Sequence, residues 1–90
     1  MKFLIVGLGN IGEEYKNTRH NIGFDVLDQW VSQHEASWDV DRLAFVSKFK
    51  FRGKQIVCIK PTTYMNLSGK AVKHWMAAER IPVNNVLVIT

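Results

Sequence analysis

Cysteine is almost missing from these ninety residues; Cys58 stands alone. No disulfide can form within the chain, which points to a reducing compartment and a cytoplasmic protein. Cys58 sits in an apolar strand pattern with no histidine beside it, so it reads as core. Long apolar runs are missing as well. None approaches the roughly 20 residues that a membrane-spanning helix needs, so no membrane partner is expected. The opening MKFLIVGLGN is too short in its apolar part for a signal peptide, and runs into Gly-Asn-Ile-Gly rather than a cleavage site. Repeats and low-complexity stretches are absent. No serine or cysteine sits in a nucleophile elbow, and no His/Cys/Asp cluster has metal-ligand spacing. No metal site is therefore expected.

Acid is also missing where base is plentiful. Between Arg42 and Lys73 lie Arg42, Lys48, Lys50, Arg52, Lys54, Lys60, Lys70 and Lys73, with no Asp or Glu among them. The net charge of +4 is thus concentrated in one segment. A one-signed stretch suggests a polyanionic partner, nucleic acid first. It equally fits a solvated face whose lysines guard a sheet edge. The first possibility predicts that Lys48, Lys50, Lys54 and their neighbours form one exposed face.

What is present is organised around Gly7–Gly23, GLGNIGEEYKNTRHNIG, a stretch too rich in glycine and polar side chains to bury a core. Before it, Phe3 to Leu8 reads as a strand covered on both faces. Gly7, Gly9 and Gly12 match G-x-G-x-x-G, the pattern of nucleotide-dependent oxidoreductases. That fold needs a helix to start at the third glycine and receive the pyrophosphate. Glu13 and Glu14 put negative charge there instead, and no helical stripe follows. The glycines are better read as letting the backbone turn tightly beside a ligand.

A helix is expected from about Asn21 to Glu35, with Ile22, Val26, Leu27, Trp30, Val31 and His34 on one face. His20 then lies just before the helix start, and His34 reads as packing. Trp38 to Leu43 is a connection of no assigned form. A hairpin follows, with Phe45, Phe49 and Phe51 alternating with Lys48, Lys50 and Arg52, a turn at Arg52-Gly53, and a more central return strand Lys54–Lys60. Pro61 ends that strand and opens a second polar loop, PTTYMNLSG. A helix from Leu67 to Arg80 follows, capped by Asn66 or Ser68, and Asn85 to Thr90 is expected as another buried strand.

The order strand, helix, strand, strand, helix, strand implies an α/β/α sandwich on a mixed, mostly parallel twisted sheet. Ligands of such sheets bind beyond the carboxyl ends of strands. Asn10 follows the first strand, and Tyr64-Met65-Asn66 follows the third. Asparagine amides and one imidazole can do one kind of work. A histidine base can act on water while amides hold the water and polarise a carbonyl. On its own residues, His20 is equally a loop histidine that caps the helix.

The two loops together resemble peptidyl-tRNA hydrolases of bacteria. Tyr15-x-x-Thr18-Arg19-His20-Asn21-x-Gly23, after Gly7-Leu8-Gly9-Asn10, is similar to the family's first signature, and Pro61 to Gly69 to its second. The resemblance implies cleavage of the ester between a peptide and the 3′ ribose of tRNA, without metal or cofactor. It implies His20 as catalytic base, and Asn10 as a substrate contact that helps place His20 and water. Asn66 is then the amide that binds the peptide backbone beside the ester, with Tyr15 and Met65 as pocket walls. Ile11 stands where the family usually has proline. The family is also longer. Its carboxylate partner of the histidine comes just after the strand matching Asn85–Thr90, and a later segment adds another asparagine and much of the basic tRNA surface. Residues 1–90 thus correspond to the N-terminal portion of one domain. The expectations are low or no activity for the chain as it stands, and self-association through uncovered apolar surface. The competing expectation is a non-catalytic RNA-binding fragment that uses the basic face of residues 42–73.

Overall fold

The alternation of apolar side chains in the first strand sets the layers. In the computed structural model, which describes residues 1–9, 22–62 and 67–89, strand β1 spans Lys2–Gly7. Successive side chains on a strand point to opposite faces. Leu4 and Val6 therefore enter one core, with Val46, Val57, Ile59, Trp75 and Ile81. Phe3 and Ile5 enter the other, with Leu27, Val31, Ile56 and Cys58. Both faces of β1 are covered, as its unbroken apolar run implied.

Helix α1 (Ile22–Gln33) covers the second core and helix α2 (Ser68–Glu79) the first. Strand β2 (Asp39–Asp41) pairs antiparallel with β3 (Ala44–Phe51), which pairs antiparallel with β4 (Lys54–Pro61). A single 3-10 turn at Val83–Asn85 leads into β5 (Val86–Ile89). The sheet order is β2-β3-β4-β1-β5, and β1 is parallel to both β4 and β5. Only β3 runs against the others, so the expected mixed sandwich is the fold observed.

Local chemistry explains the turns. Arg52 and Gly53 both have positive φ (52° and 78°), and Phe51 pairs with Lys54. This is the two-residue hairpin whose twist matches the strands. Helix α1 ends with Glu35 in the left-handed region; the Glu35 amide donates to Ser32 O and the Ala36 amide to Val31 O. Helix α2 ends the same way through Arg80 and Ile81, which donate to Ala77 O and Met76 O. These bonds satisfy carbonyls that the helix leaves open.

Several expectations need correction. The segment given no form contains β2, a three-residue strand with every residue exposed. Val26 shares the helical spacing of the apolar face of α1 but is exposed, because the buried face narrows to Gly23, Leu27 and Val31. Ser68 does not cap α2; it lies inside the helix, buried, and Leu67 holds the cap position with no side-chain hydrogen bond. The last strand is not buried. Leu87 and Val88 are 56% and 43% exposed, since β5 is the sheet's edge among the described residues.

The basic run does not make one face. Lys48 and Lys50 lie on the α2 side of β3, whereas Lys54 and Lys60 share the α1 side of β4 with Ile56 and Cys58. Lys48 is paired with Glu79 and Lys60 with Asp28. A single-signed stretch of sequence has been dealt to both sides by the pleat. Among the described residues no helix is long and apolar enough to cross a membrane.

Candidate active site

Parallel strands bring their carboxyl ends together. Val6 is level with Ile59 of β4, and Gly7 with Ile89 of β5, so β1, β4 and β5 finish at one edge of the sheet. The Leu8 amide donates to Ile89 O at 2.9 Å, which extends the β1–β5 pairing beyond the last registered pair.

Two glycines let the helix reach this edge. A Cβ on Gly7 would stand 2.5 Å from Gly23 O and 2.8 Å from Leu27 Cδ1. A Cβ on Gly23 would stand 2.5 Å from the Leu8 amide nitrogen and would also strike Ile89 O. The first turn of α1 is thus pressed against the ends of β1 and β5, backbone on backbone. No side chain fits between them.

Both polar loops are anchored here. Residues 10–21 leave from Gly9, just past β1, and rejoin at the start of α1. Residues 63–66 leave from Thr62, just past β4, and rejoin at Leu67 before α2. The strands they leave are neighbours, about 4.8 Å apart. The Thr62 amide is fixed by a 2.9 Å bond to Leu43 O. Asn10, Tyr15 and His20 fall in the first segment and Met65 and Asn66 in the second, outside the described residues. The common edge from which both segments start is therefore what bears on these five residues.

The side chain that sequence reasoning missed at this edge is Lys60. It appeared only as one more cation of the basic run. Its ammonium lies 4.4 Å from the ring centre of Trp38, 5.5 Å from Phe45 and 5.8 Å from Phe24, and pairs with the Asp28 carboxylate. The signal available was a lysine within an apolar strand directly before a proline.

Other polar clusters lie elsewhere. A hollow of about 410 Å³ among Lys2, Lys48, Lys50, Gln55 and Glu79 sits at the amino end of β1. There the Glu79 carboxylate accepts from Lys2 Nζ at 3.2 Å and Lys48 Nζ at 3.0 Å. Partial burial raises the Glu79 pKa, but hydrogen bonds and charge from Lys48 and Lys2 outweigh it and hold the carboxyl below its ordinary value. This acid is occupied as a bridge on the wrong edge for the loops. His34 stacks on Phe49 with 4.6 Å between ring centres, and its Nδ1 donates to Trp30 O at 3.0 Å. It is a packing residue, as expected. Among the described residues no group of three His, Cys, Asp or Glu side chains could hold a metal ion.

Comparison with known proteins agrees with the loops. The family model described as "Peptidyl-tRNA hydrolase" matches residues 4–90. The chain is 54% identical over 90 residues to the peptidyl-tRNA hydrolase of Cytophaga hutchinsonii, covering 100% of this chain and 48% of that one. It is 52% identical over 89 residues to that of Phocaeicola vulgatus, with 99% and 48% covered. The crystal structure of peptidyl-tRNA hydrolase from Acinetobacter baumannii superposes with a TM-score of 0.89 at 33% identity, over 96% of this chain and 45% of that one. The chain spans about half the length of the curated relatives it matches. With fold, loops and family model in agreement, the chain belongs to the peptidyl-tRNA hydrolase family.

Proposed function

We propose that this chain carries the catalytic loops of a peptidyl-tRNA hydrolase and that its substrate is peptidyl-tRNA. His20 acts as general base. It takes a proton from water as the oxygen attacks the ester carbonyl between the peptide and the 3′ ribose. Asn10 contacts the substrate and helps hold His20 and the water. Asn66 hydrogen-bonds the peptide backbone beside the ester, and Tyr15 and Met65 wall the pocket. Neither metal nor cofactor takes part. The setting is the cytoplasm.

The observation that carries this proposal is the common origin of the two loops. They leave adjacent strand ends on one sheet edge, which supports reading them as two sides of one ester-binding site. A binder that uses residues 42–73 as a single face is not favoured, because the pleat divides those residues between two sides.

A neutral imidazole is an effective base only when its correct nitrogen faces the water. A carboxylate on the other nitrogen fixes the tautomer and stabilises the imidazolium. By resemblance, that carboxylate follows the strand at β5. Loss of such a group costs on the order of 10⁴-fold in turnover, and poorer positioning about 10²-fold more. The ninety residues alone should therefore be a slow catalyst. The test is release of tRNA from N-acetyl-aminoacyl-tRNA, by this chain and by the chain fused to the second half of the Cytophaga relative. The fusion should turn over readily, and His20→Ala should abolish turnover while leaving tRNA binding nearly intact. Turnover that survives His20→Ala overturns the assignment. Equal rates for the two chains would place the carboxylate within these residues, at Glu13 or Glu14.

A further inference from the structure

We propose that Lys60 is a positioning residue, a cationic clamp that holds the end of β4, where the second polar loop begins, against the first turns of α1, where the first polar loop ends. The proposal rests on the reading above only in treating the loops as one site. Lys60 is the penultimate residue of β4, two residues before Thr62, where the second loop begins. Phe24 lies in the first turn of α1, where the first loop ends, and Asp28 one turn further on. The Lys60 ammonium contacts the Phe24 ring and pairs with Asp28, so it joins the strand that feeds one loop to the helix that leaves the other.

The surroundings explain why a lysine does this. Its four-carbon stem crosses an apolar gap, and its charged head needs a partner at the far end. Trp38 and Phe45 supply aromatic faces and Asp28 supplies the counter-charge. Only 16% of the Lys60 side chain is exposed, against 49% for Asp28. An ammonium shielded to that degree is held more firmly by ring faces than one in open water. Lys60 already has a carboxylate partner and three ring faces within about 6 Å, so it is not a bare cation offered to a phosphate. The arrangement also draws together four parts of the chain: α1, the segment before β2, β3 and β4. The glycine contact of Gly7 and Gly23 fixes α1 to β1 and β5. Lys60 supplies the tie to β4 on the other flank.

The test uses amide hydrogen exchange by NMR on the ninety-residue chain, with Lys60→Met, Lys60→Arg and Asp28→Asn. Lys60→Met keeps the length and removes the charge. Opening rates report local stability residue by residue. Amides of Val26, Leu8 and Thr62 report the clamped edge, and those of Leu4 and Val57 the core. The expected result for Lys60→Met is faster exchange at the edge amides by about tenfold, with the core amides changed less than about twofold. Lys60→Arg should restore the edge amides to within about twofold, because it keeps the cation and its stacking. Asp28→Asn should give the same pattern at about two- to threefold. Unchanged edge amides, a uniform rise that includes the core, or failure of Lys60→Arg to rescue would each overturn the clamp. Should Lys60→Met not fold, the Asp28→Asn pattern decides by the same criteria. Exchange needs neither substrate nor turnover. A negative turnover experiment therefore overturns the hydrolase reading without touching this result, and the reverse holds.

Discussion

Cys58 and Glu79 show how one residue's surroundings set its chemistry. Burial pushes the Cys58 thiol from 9.0 up to about 12. The thiol is therefore neutral and shielded, and a thiol reagent at pH 8 should label it only after unfolding. The raised value favours the folded state fully below pH 9.0, and that contribution is lost as pH rises through about 12. Native labelling as fast as in urea would show that the α1-side core is open. Glu79 has the opposite sign. Its lowered pKa contributes stability above the ordinary value of 4.5, and that contribution is lost as pH falls through the folded value. The difference between the wild type and Glu79→Gln should be no more than about 1 kcal/mol at pH 7 and should vanish in acid; denaturant melts at the two pH values check it. The sequence made Cys58 legible, because an apolar strand pattern predicts burial. It could not show what Lys60 does. Sequence displays the sign of a charge, whereas the partner, Asp28, lies far away in the chain and meets Lys60 only through the fold.

At the scale of elements, the close approach of α1 to the strand ends makes the sharpest prediction. Gly23→Ala would drive a methyl group into the backbone of Leu8 and Ile89. Backbone cannot rotate away, so the helix must lift from the site edge. A loss of about 1–3 kcal/mol is expected, with exchange raised first at Leu8. Gly69→Ala, which meets open space, serves as the control and should not destabilise through contact. Leu27→Ala, at a fully buried position, should cost about 2–5 kcal/mol, a large part of the typical 5–15 kcal/mol of a small domain. Thermal melts test all three. Both helices and the main strands were legible because their periodicities persist over eight or more residues. Strand β2 was not, since three residues with two acids carry no period. The exposure of β5 was invisible for another reason. The run Val86–Ile89 is apolar in any setting, and only the sheet order reveals that one side of it is an edge.

For the whole molecule, that edge has a consequence in solution. Leu87 and Val88 are exposed beside backbone groups that have no strand partner on the outer side among the described residues. Such an edge invites a second chain. Light scattering across a concentration series should show self-association, and Leu87→Lys should reduce it; a monomer at every concentration would contradict this. The loops were legible as motifs, since Tyr15, His20 and Asn66 stand at recognisable spacing, and the shared sheet edge from which both loops start followed from the α/β order. The proposed ester-binding site lies at the carboxyl edge of β1 and β4. That placement is tested most directly by NMR titration of the chain with an N-acetyl-aminoacyl-adenosine whose ester is replaced by an amide. Shift changes are expected at Gly9, Gly23, Thr62 and Leu67, with none at the Arg52–Gly53 turn. Changes confined to Lys2, Lys50 and Gln55, at the opposite edge, would contradict it.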